Sequence, residues 1–134
     1  MANKINAANT KVWGFKMPKN TRYLAWTRHI ARKMMFYGLS AAKVKSVLSR
    51  HDREEQGIAP DTVAVMKKSG SKKNPQEIWV MYQDKKITQD GVSNERRVVI
   101  TAWRYPGISK LREAVPIPEG VLAELQEDGD VNFV

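Results

Sequence analysis

The chain of 134 residues contains no cysteine, so disulfide bonds and thiolate metal sites are excluded. No apolar run approaches the ~18 residues that a membrane-spanning helix needs. The N-terminal residues also lack an apolar segment followed by a small-residue cleavage site of the secretory type. The sequence therefore predicts a cytoplasmic protein without a membrane partner, a cofactor or a metal, and its length fits a single domain.

Acidic residues are absent from the first fifty positions, which carry eleven lysines or arginines. The reverse holds at the other end, where six acids and no base follow Arg112. A solvated surface normally mixes both signs, so a long segment of one sign produces a field directed at an anion such as a phosphate backbone. The net charge of +9 thus indicates nucleic acid as the partner, with Arg22, Arg28 and Arg32 as predicted contacts.

The first half of the chain shows two helical patterns. Thr21 is suited to cap the first helix, Gly38 is typical of a helix C-terminus, and Ser40 is suited to cap a second helix. The apolar residues that recur at helical spacing are Leu24, Trp26, Ile30, Met34 and Phe36 in the first pattern, and Val44, Val47 and Leu48 in the second. The sequence predicts two helices joined at Gly38.

The second half shows strand patterns. Residues 62–67 and 77–83 flank a loop of small residues, lysines and proline, which predicts an antiparallel hairpin. Residues 84–95 form a predicted linker with a turn at Asp90 and Gly91. The β-branched run Val98, Val99 and Ile100 indicates a strand over 96–103 that is buried on both faces.

Pro118 suits the start of a short acidic helix that ends near Gln126. The predicted class is α+β, with two N-terminal helices packed on an antiparallel sheet of three to four strands. We divide the chain into a basic N-terminal arm (1–20) with an apolar cluster at Val12, Trp13 and Phe15, the α+β domain (21–112), and an acidic C-terminal segment (113–134) packed on it. The helices are expected to cover one face of the sheet and to leave the other free for function.

The acidic C-terminal segment admits two interpretations. In the first, it folds back over the basic helix face, anchored by Phe133 and Val134, and its carboxylates take positions meant for phosphate. In the second, it is an acidic helix that packs at a sheet edge and improves solubility.

His29, Lys33 and Tyr37 are spaced four residues apart, so one stripe of a helix presents all three. An imidazole beside an ammonium group has its protonated form disfavoured and stays available as a proton acceptor near neutral pH, which suits phosphodiester cleavage. The alternative is an ordinary histidine on a helix surface beside solvated lysine. Trp103, next to Arg104, is a candidate for base stacking, with a core position as its alternative.

The stretch from His29 to Ser40, followed by Val44, Val47 and Leu48 and later by the strand 98–104, resembles domains of the RelE/ParE-like toxin superfamily. Those domains open with a His-x-x-x-Arg/Lys-Met helix, continue through a Gly-Ile/Leu-Ser turn into a second helix, and close on a strand that contains Val-Ile-Thr. The resemblance covers residues 23–107. It implies a helix pair on an antiparallel sheet, as in a group of small metal-independent ribonucleases. Several members of this group cleave RNA, some act on other targets, and many have no demonstrated activity, so RNA is the expected target and a ribosome association is left open.

The same resemblance implies site residues. His29 matches the helix histidine, Lys33 the basic residue that follows it, and Thr101 the strand threonine, while the position near the strand end falls on Trp103 or Arg104. Tyr37 stands where a second arginine is common, so one phosphate-stabilising cation of the family is missing. By strand parity, Thr101 is expected to share a face with Val99 and Trp103, and Arg104 to follow the opposite parity.

Three functions remain open from the sequence. The first is a small RNA-directed domain that cleaves RNA through His29, Lys33, Thr101 and Arg104 and binds it through Arg22, Arg28, Arg32, Tyr37 and Trp103. The second is a nucleic-acid-binding module of the same fold without catalysis. The third is a protein-interaction subunit whose basic half binds an acidic partner such as an antitoxin.

Overall fold

The computed structural model describes residues 11–12, 15–111 and 113–129, with side chains from residue 16 onward. Its elements in chain order are β1 (Lys11–Val12), β2 (Phe15–Lys16), β3 (Leu24–Trp26), α1 (Arg28–Tyr37), α2 (Ala41–Ser49), β4 (Arg53–Gln56), β5 (Val63–Gly70), β6 (Pro75–Gln89), β7 (Val92–Pro106) and α3 (Glu119–Asp128). None of the helices in these ranges combines the length and the apolar character that a membrane span requires.

Strands β3 to β7 form one sheet in the order β3-β7-β6-β5-β4. Neighbouring strands are antiparallel except for β3 and β7, which run parallel. The predicted α+β class is confirmed, but the sheet is mixed and has five strands, because the short strands β3 and β4 extend its two edges. Strand β4 is the polar run Arg-Glu-Glu-Gln, which carries no apolar alternation that would reveal it.

Two hairpins build the centre of the sheet. Strands β5 and β6 pair as predicted, from Val63 opposite Tyr82 to Gly70 opposite Pro75. Strands β6 and β7 meet at Asp90 and Gly91, whose φ angles of 53° and 78° satisfy a two-residue turn that needs positive φ at both positions. The turn is confirmed, whereas the linker over 84–95 is wrong, since both strands continue to the turn.

Helix α1 begins later than predicted. Residues 24–26 pair with Arg97–Val99 as strand β3, so the helix starts only after Thr27, whose side chain caps it by accepting a hydrogen bond from the Ile30 N–H. The end of α1 is confirmed, because Gly38 has a left-handed conformation with φ 66°. Ser40 caps α2 through the Lys43 N–H, also as predicted.

Both faces of the sheet are covered. Helices α1 and α2 bury Ile30, Met34, Val44 and Val47 on one face. The opposite face carries a second apolar cluster that includes Trp79, Trp103, and the α3 residues Val121 and Leu125. The expectation of one free sheet face is therefore wrong, because α3 and the segment before it cover that face.

A β-bulge interrupts the pairing of β6 with β7. Met81 lies opposite Thr101, but the next residue, Tyr82, lies opposite Val99, so Ile100 is the extra residue. The extra residue reverses the alternation of side chains along β7. Val99 consequently packs with the α1–α2 face and Trp103 with the α3 face, which corrects the expected shared parity of Val99, Thr101 and Trp103.

The N-terminal arm contains the antiparallel pair β1 and β2, in which Lys11 lies opposite Lys16 and Val12 opposite Phe15. The predicted packing of the apolar side chains of Val12, Trp13 and Phe15 lies outside the described residues. The same is true of the predicted anchors Phe133 and Val134.

Candidate functional site

The candidate site lies between the basic helix α1 and the acidic helix α3. On α1, His29, Arg32 and Lys33 are spaced three and four residues apart and therefore lie on one face of the helix. On α3, Glu124 and Asp128 are likewise one turn apart. These two faces meet, so the segment of the chain without acids contacts the segment without bases.

The His29 imidazole is fully buried and has a partner at each nitrogen. Its Nδ1 lies 3.0 Å from Oδ2 of Asp128, and its Nε2 lies 2.8 Å from Oγ1 of Thr101. A carboxylate only accepts hydrogen bonds, so we assign the proton of the neutral ring to Nδ1, and Nε2 then accepts from the Thr101 hydroxyl. The order carboxylate, imidazole, hydroxyl is that of a catalytic triad, in which the carboxylate orients the imidazole and the imidazole accepts the proton of the hydroxyl.

Burial lowers the pKa of His29 below its ordinary value of 6.5. The hydrogen bond to Asp128 and the negative charges of Asp128 and Glu124 oppose this shift, and the Lys33 ammonium adds a smaller lowering effect. The predicted direction is thus the one that the structure gives, but desolvation is its main cause and Lys33 is secondary. A neutral His29 is available as a proton acceptor near neutral pH.

Partial burial raises the pKa of the Asp128 carboxyl, but this effect is outweighed. The hydrogen bonds that Asp128 accepts from His29 and Arg32, together with the positive charge of these side chains, lower the pKa below its ordinary value of 3.8. Asp128 is therefore a carboxylate over the whole physiological pH range and orients the His29 ring.

Lys33 forms an ion pair with Glu124. The Lys33 side chain is only 10 % exposed, and its Nζ also lies 5.1 Å from the centre of the Phe36 ring. Arg32 donates to Asp128 at 2.5 Å and has its Nε 3.9 Å from Glu124. Three basic side chains of α1 thus share two carboxylates of α3.

The structure brings together three of the four predicted catalytic residues, His29, Lys33 and Thr101, around one helix face. Arg104 lies elsewhere: its Nε donates at 2.8 Å to the backbone carbonyl of Tyr37, two helical turns beyond His29. Arg104 has this position because the bulge places it on the α1 side of the sheet, opposite Ile78. This hydrogen bond connects the C-terminal end of α1 to β7.

The predicted RNA-binding residues differ in their exposure. Arg22, Arg28 and Arg32 are exposed, and Tyr37 is half-buried. Trp103 is fully buried and stacks on Trp79 with ring centres 5.9 Å apart, so it has no face available for a base. The structure assigns Trp103 to the core and corrects its prediction as a stacking residue.

Glu124 and Asp128 were not among the predicted site residues. The signal that pointed to them was the acid-only C-terminal segment, together with the hypothesis that it folds back over the basic helix. The i, i+4 spacing of these two acids matches the spacing of His29 and Lys33 on α1. Within the part of the chain that the structure describes, no cluster of three or more His, Asp or Glu residues could hold a metal ion.

Comparison with protein-family models, with curated proteins and with solved structures finds no match to this chain. The resemblance to RelE/ParE-like toxins therefore rests on the residues quoted for it and stays a prediction.

Proposed function

We propose that this protein is a small RNA-directed domain that binds the phosphate backbone through the basic surface of α1, α2 and the residues before them. In the RelE/ParE-like interpretation, it also cleaves RNA without a metal through His29. A module of the same fold that binds nucleic acid without cleaving it is the main alternative.

A set of exposed lysine and arginine side chains supports RNA binding. Seven lysines and arginines between residues 16 and 50 are exposed and form no ion pair with an acid among the described residues: Lys16, Lys19, Arg22, Arg28, Lys43, Lys45 and Arg50. Unpaired surface cations of one sign attract a polyanion over a distance of about a Debye length. RNA is the polyanion that the resemblance implies.

The catalytic part is supported by the composition of the site around His29. Metal-free cleavage needs a base for the ribose 2′-OH proton, cations for the charge on the phosphorane, and an acid for the leaving 5′-oxygen. Neutral His29 supplies the base once the ribose 2′-OH replaces the Thr101 hydroxyl at Nε2. Arg32 and Lys33 supply the positive charge, and the released Thr101 hydroxyl donates to the phosphate. The 2′-oxygen bonds to phosphorus as the bond to the 5′-oxygen breaks, and the leaving oxygen takes its proton from the imidazolium or from Lys33.

The burial of His29 and Thr101 favours the alternative without catalysis, because neither side chain reaches solvent while α3 is in place. The packing of acidic α3 on α1 favours the third function, since a partner protein with a similar acidic helix would fit the same face. All three functions therefore involve basic residues of α1 and differ in the ligand that binds them.

Incubation of the purified protein with end-labelled RNA in EDTA separates these functions. The enzymatic proposal predicts metal-independent cleavage with 2′,3′-cyclic phosphate ends. Intact RNA that is retarded by the protein supports the binding module, and the absence of both cleavage and binding leaves the acidic protein partner.

A further inference from the structure

We infer that the face of α1 beneath α3 is a phosphate-binding site, and that Glu124 and Asp128 close it by standing where phosphates of an RNA strand bind. This inference rests on the proposed RNA binding and adds its regulation. The RNA strand must displace α3 to reach His29 and Thr101.

The charges at this contact come from two elements only. Among the described residues, His29, Arg32 and Lys33 form their ion pairs with Glu124 and Asp128 and with no other acid. Two negative charges one helical turn apart, about 6 Å along the helix axis, neutralise this face. Removal of α3 leaves this face of α1 positively charged and without a counter-ion. The phosphates of an RNA strand carry negative charges that can replace those of Glu124 and Asp128.

While α3 covers this face, its buried cation needs an anion as a partner. Lysine is rarely buried unless it is paired, and Lys33 is held at the surface of the core by Glu124. The contact of the Lys33 ammonium group with the Phe36 ring, 5.1 Å away on the same helix, does not involve α3 and helps to keep the cation in place. The His29–Thr101 pair lies directly behind it, so an anion bound there contacts the candidate catalytic residues.

Several features of helix α3 favour its displacement from α1. It has ten residues, and its N-cap residue Pro118 provides no side-chain hydrogen bond to the helix. Isolated helices shorter than about 12–15 residues are marginal in water. Its apolar attachment to the sheet consists mainly of Val121 and Leu125, and the carboxylates of Glu124 and Asp128 provide its ion pairs with α1. An anion that takes over Arg32 and Lys33 therefore weakens the docking of the whole helix.

The test compares two double variants with the same change in net charge. Glu124→Gln with Asp128→Asn removes the charges that face α1, whereas Glu119→Gln with Glu127→Gln removes two charges from exposed positions of α3 that form no ion pair among the described residues. The probe is a labelled single-stranded RNA of about ten nucleotides. We expect the first variant to bind it at low salt at least about fivefold more tightly than the second, the lower end of typical coupling between two sites.

Two results would overturn the inference in different ways. If the parent binds RNA and both double variants bind with equal affinity, the α3 carboxylates act only through net charge, and the proposed RNA binding stands without its regulation. If neither the parent nor any variant binds RNA in a salt-dependent manner, the proposed function fails and the inference fails with it.

A second measurement uses the unaltered protein and does not depend on the folding of a variant. Amide hydrogen exchange is followed with and without the same RNA. The inference predicts that the amides of α3 lose protection when RNA binds, while those of β6 and β7 keep theirs. Unchanged or increased protection of α3 in the RNA complex contradicts it.

Discussion

The Nδ1 atom of His29 lies 3.0 Å from Oδ2 of Asp128, although the two residues are 99 positions apart in the chain. This contact connects α1 to α3. It belongs to a cluster of ion pairs between the basic N-terminal part of the chain and its acidic C-terminal part. Thr101 contacts the other nitrogen of the imidazole, and Lys33 lies one turn further along α1. Both residues are catalytic candidates from the sequence. The cluster is therefore both a structural connection and the place where the proposed function is tested.

The free energy of unfolding should decrease as the pH falls below about 6.5. The folded-state pKa of His29 is lower than 6.5, so the unfolded chain takes up this proton first, and the contribution of neutral His29 is lost between 6.5 and the folded value. Asp128, whose folded pKa is below 3.8, contributes stability above 3.8 that is lost as the pH falls through its lower folded value. Both effects make stability rise with pH.

Urea denaturation between about pH 7 and pH 5 checks this prediction, with His29→Gln as the comparison. We expect a steeper loss of stability in the parent than in the variant, because the variant lacks the buried imidazole. Parallel pH profiles would show that His29 does not titrate differently on folding.

The Thr101 hydroxyl should matter for stability apart from any role in cleavage. Thr101→Val keeps the shape of the side chain but leaves Nε2 of His29 without its partner in a buried site, which costs about 1–3 kcal/mol. Thr101→Ser keeps the hydroxyl and serves as the matched control for the hydrogen bond. Chemical denaturation of both variants measures the difference, and equal losses would mean that packing rather than the hydrogen bond is responsible.

Substitution of His29 tests catalysis. If the parent cleaves RNA, His29→Ala should lower the cleavage rate of bound RNA by roughly 10²-fold or more, as expected for the removal of a general base. Circular dichroism of the variant verifies the fold, because His29 also connects α1 to α3. A variant that cuts as fast as the parent would remove His29 from the mechanism.

Arg28 is the best single probe of phosphate contacts, because it is exposed on α1 and forms no ion pair among the described residues. Arg28→Ala should reduce the slope of log K against log salt concentration by roughly one unit. Lys72→Ala removes the same charge at the exposed end of the β5–β6 hairpin and should leave the slope nearly unchanged. Equal effects of the two substitutions would indicate a diffuse response to net charge.

Local signals in the sequence predicted those parts of the fold that local interactions determine. Gly38 and Ser40 mark the end of α1 and the start of α2 through their own backbone and side-chain preferences. Asp90 and Gly91 likewise specify their turn without help from the rest of the chain.

Elements that depend on distant partners were missed. Strand β3 has three residues and exists only because it pairs with Arg97–Val99, so its sequence read as the beginning of a helix. The bulge at Ile100 has no signature in the alternation of β7, and it changed the faces assigned to Val99 and Trp103. For the site, the spacing of His29 and Lys33 was visible, but the identity of Asp128 and Glu124 as their partners required the packing of α3.

The most direct test of the account is the affinity of the parent protein for labelled single-stranded RNA over a series of salt concentrations. Binding through the acid-free first fifty residues predicts a steep linear fall of log K with log salt concentration, with a slope near −0.7 for each phosphate contact. Several contacts are expected from the exposed cations between residues 16 and 50. An affinity that does not change from low to high salt, or no binding at low salt, would contradict the central claim that this surface recognises a phosphate backbone.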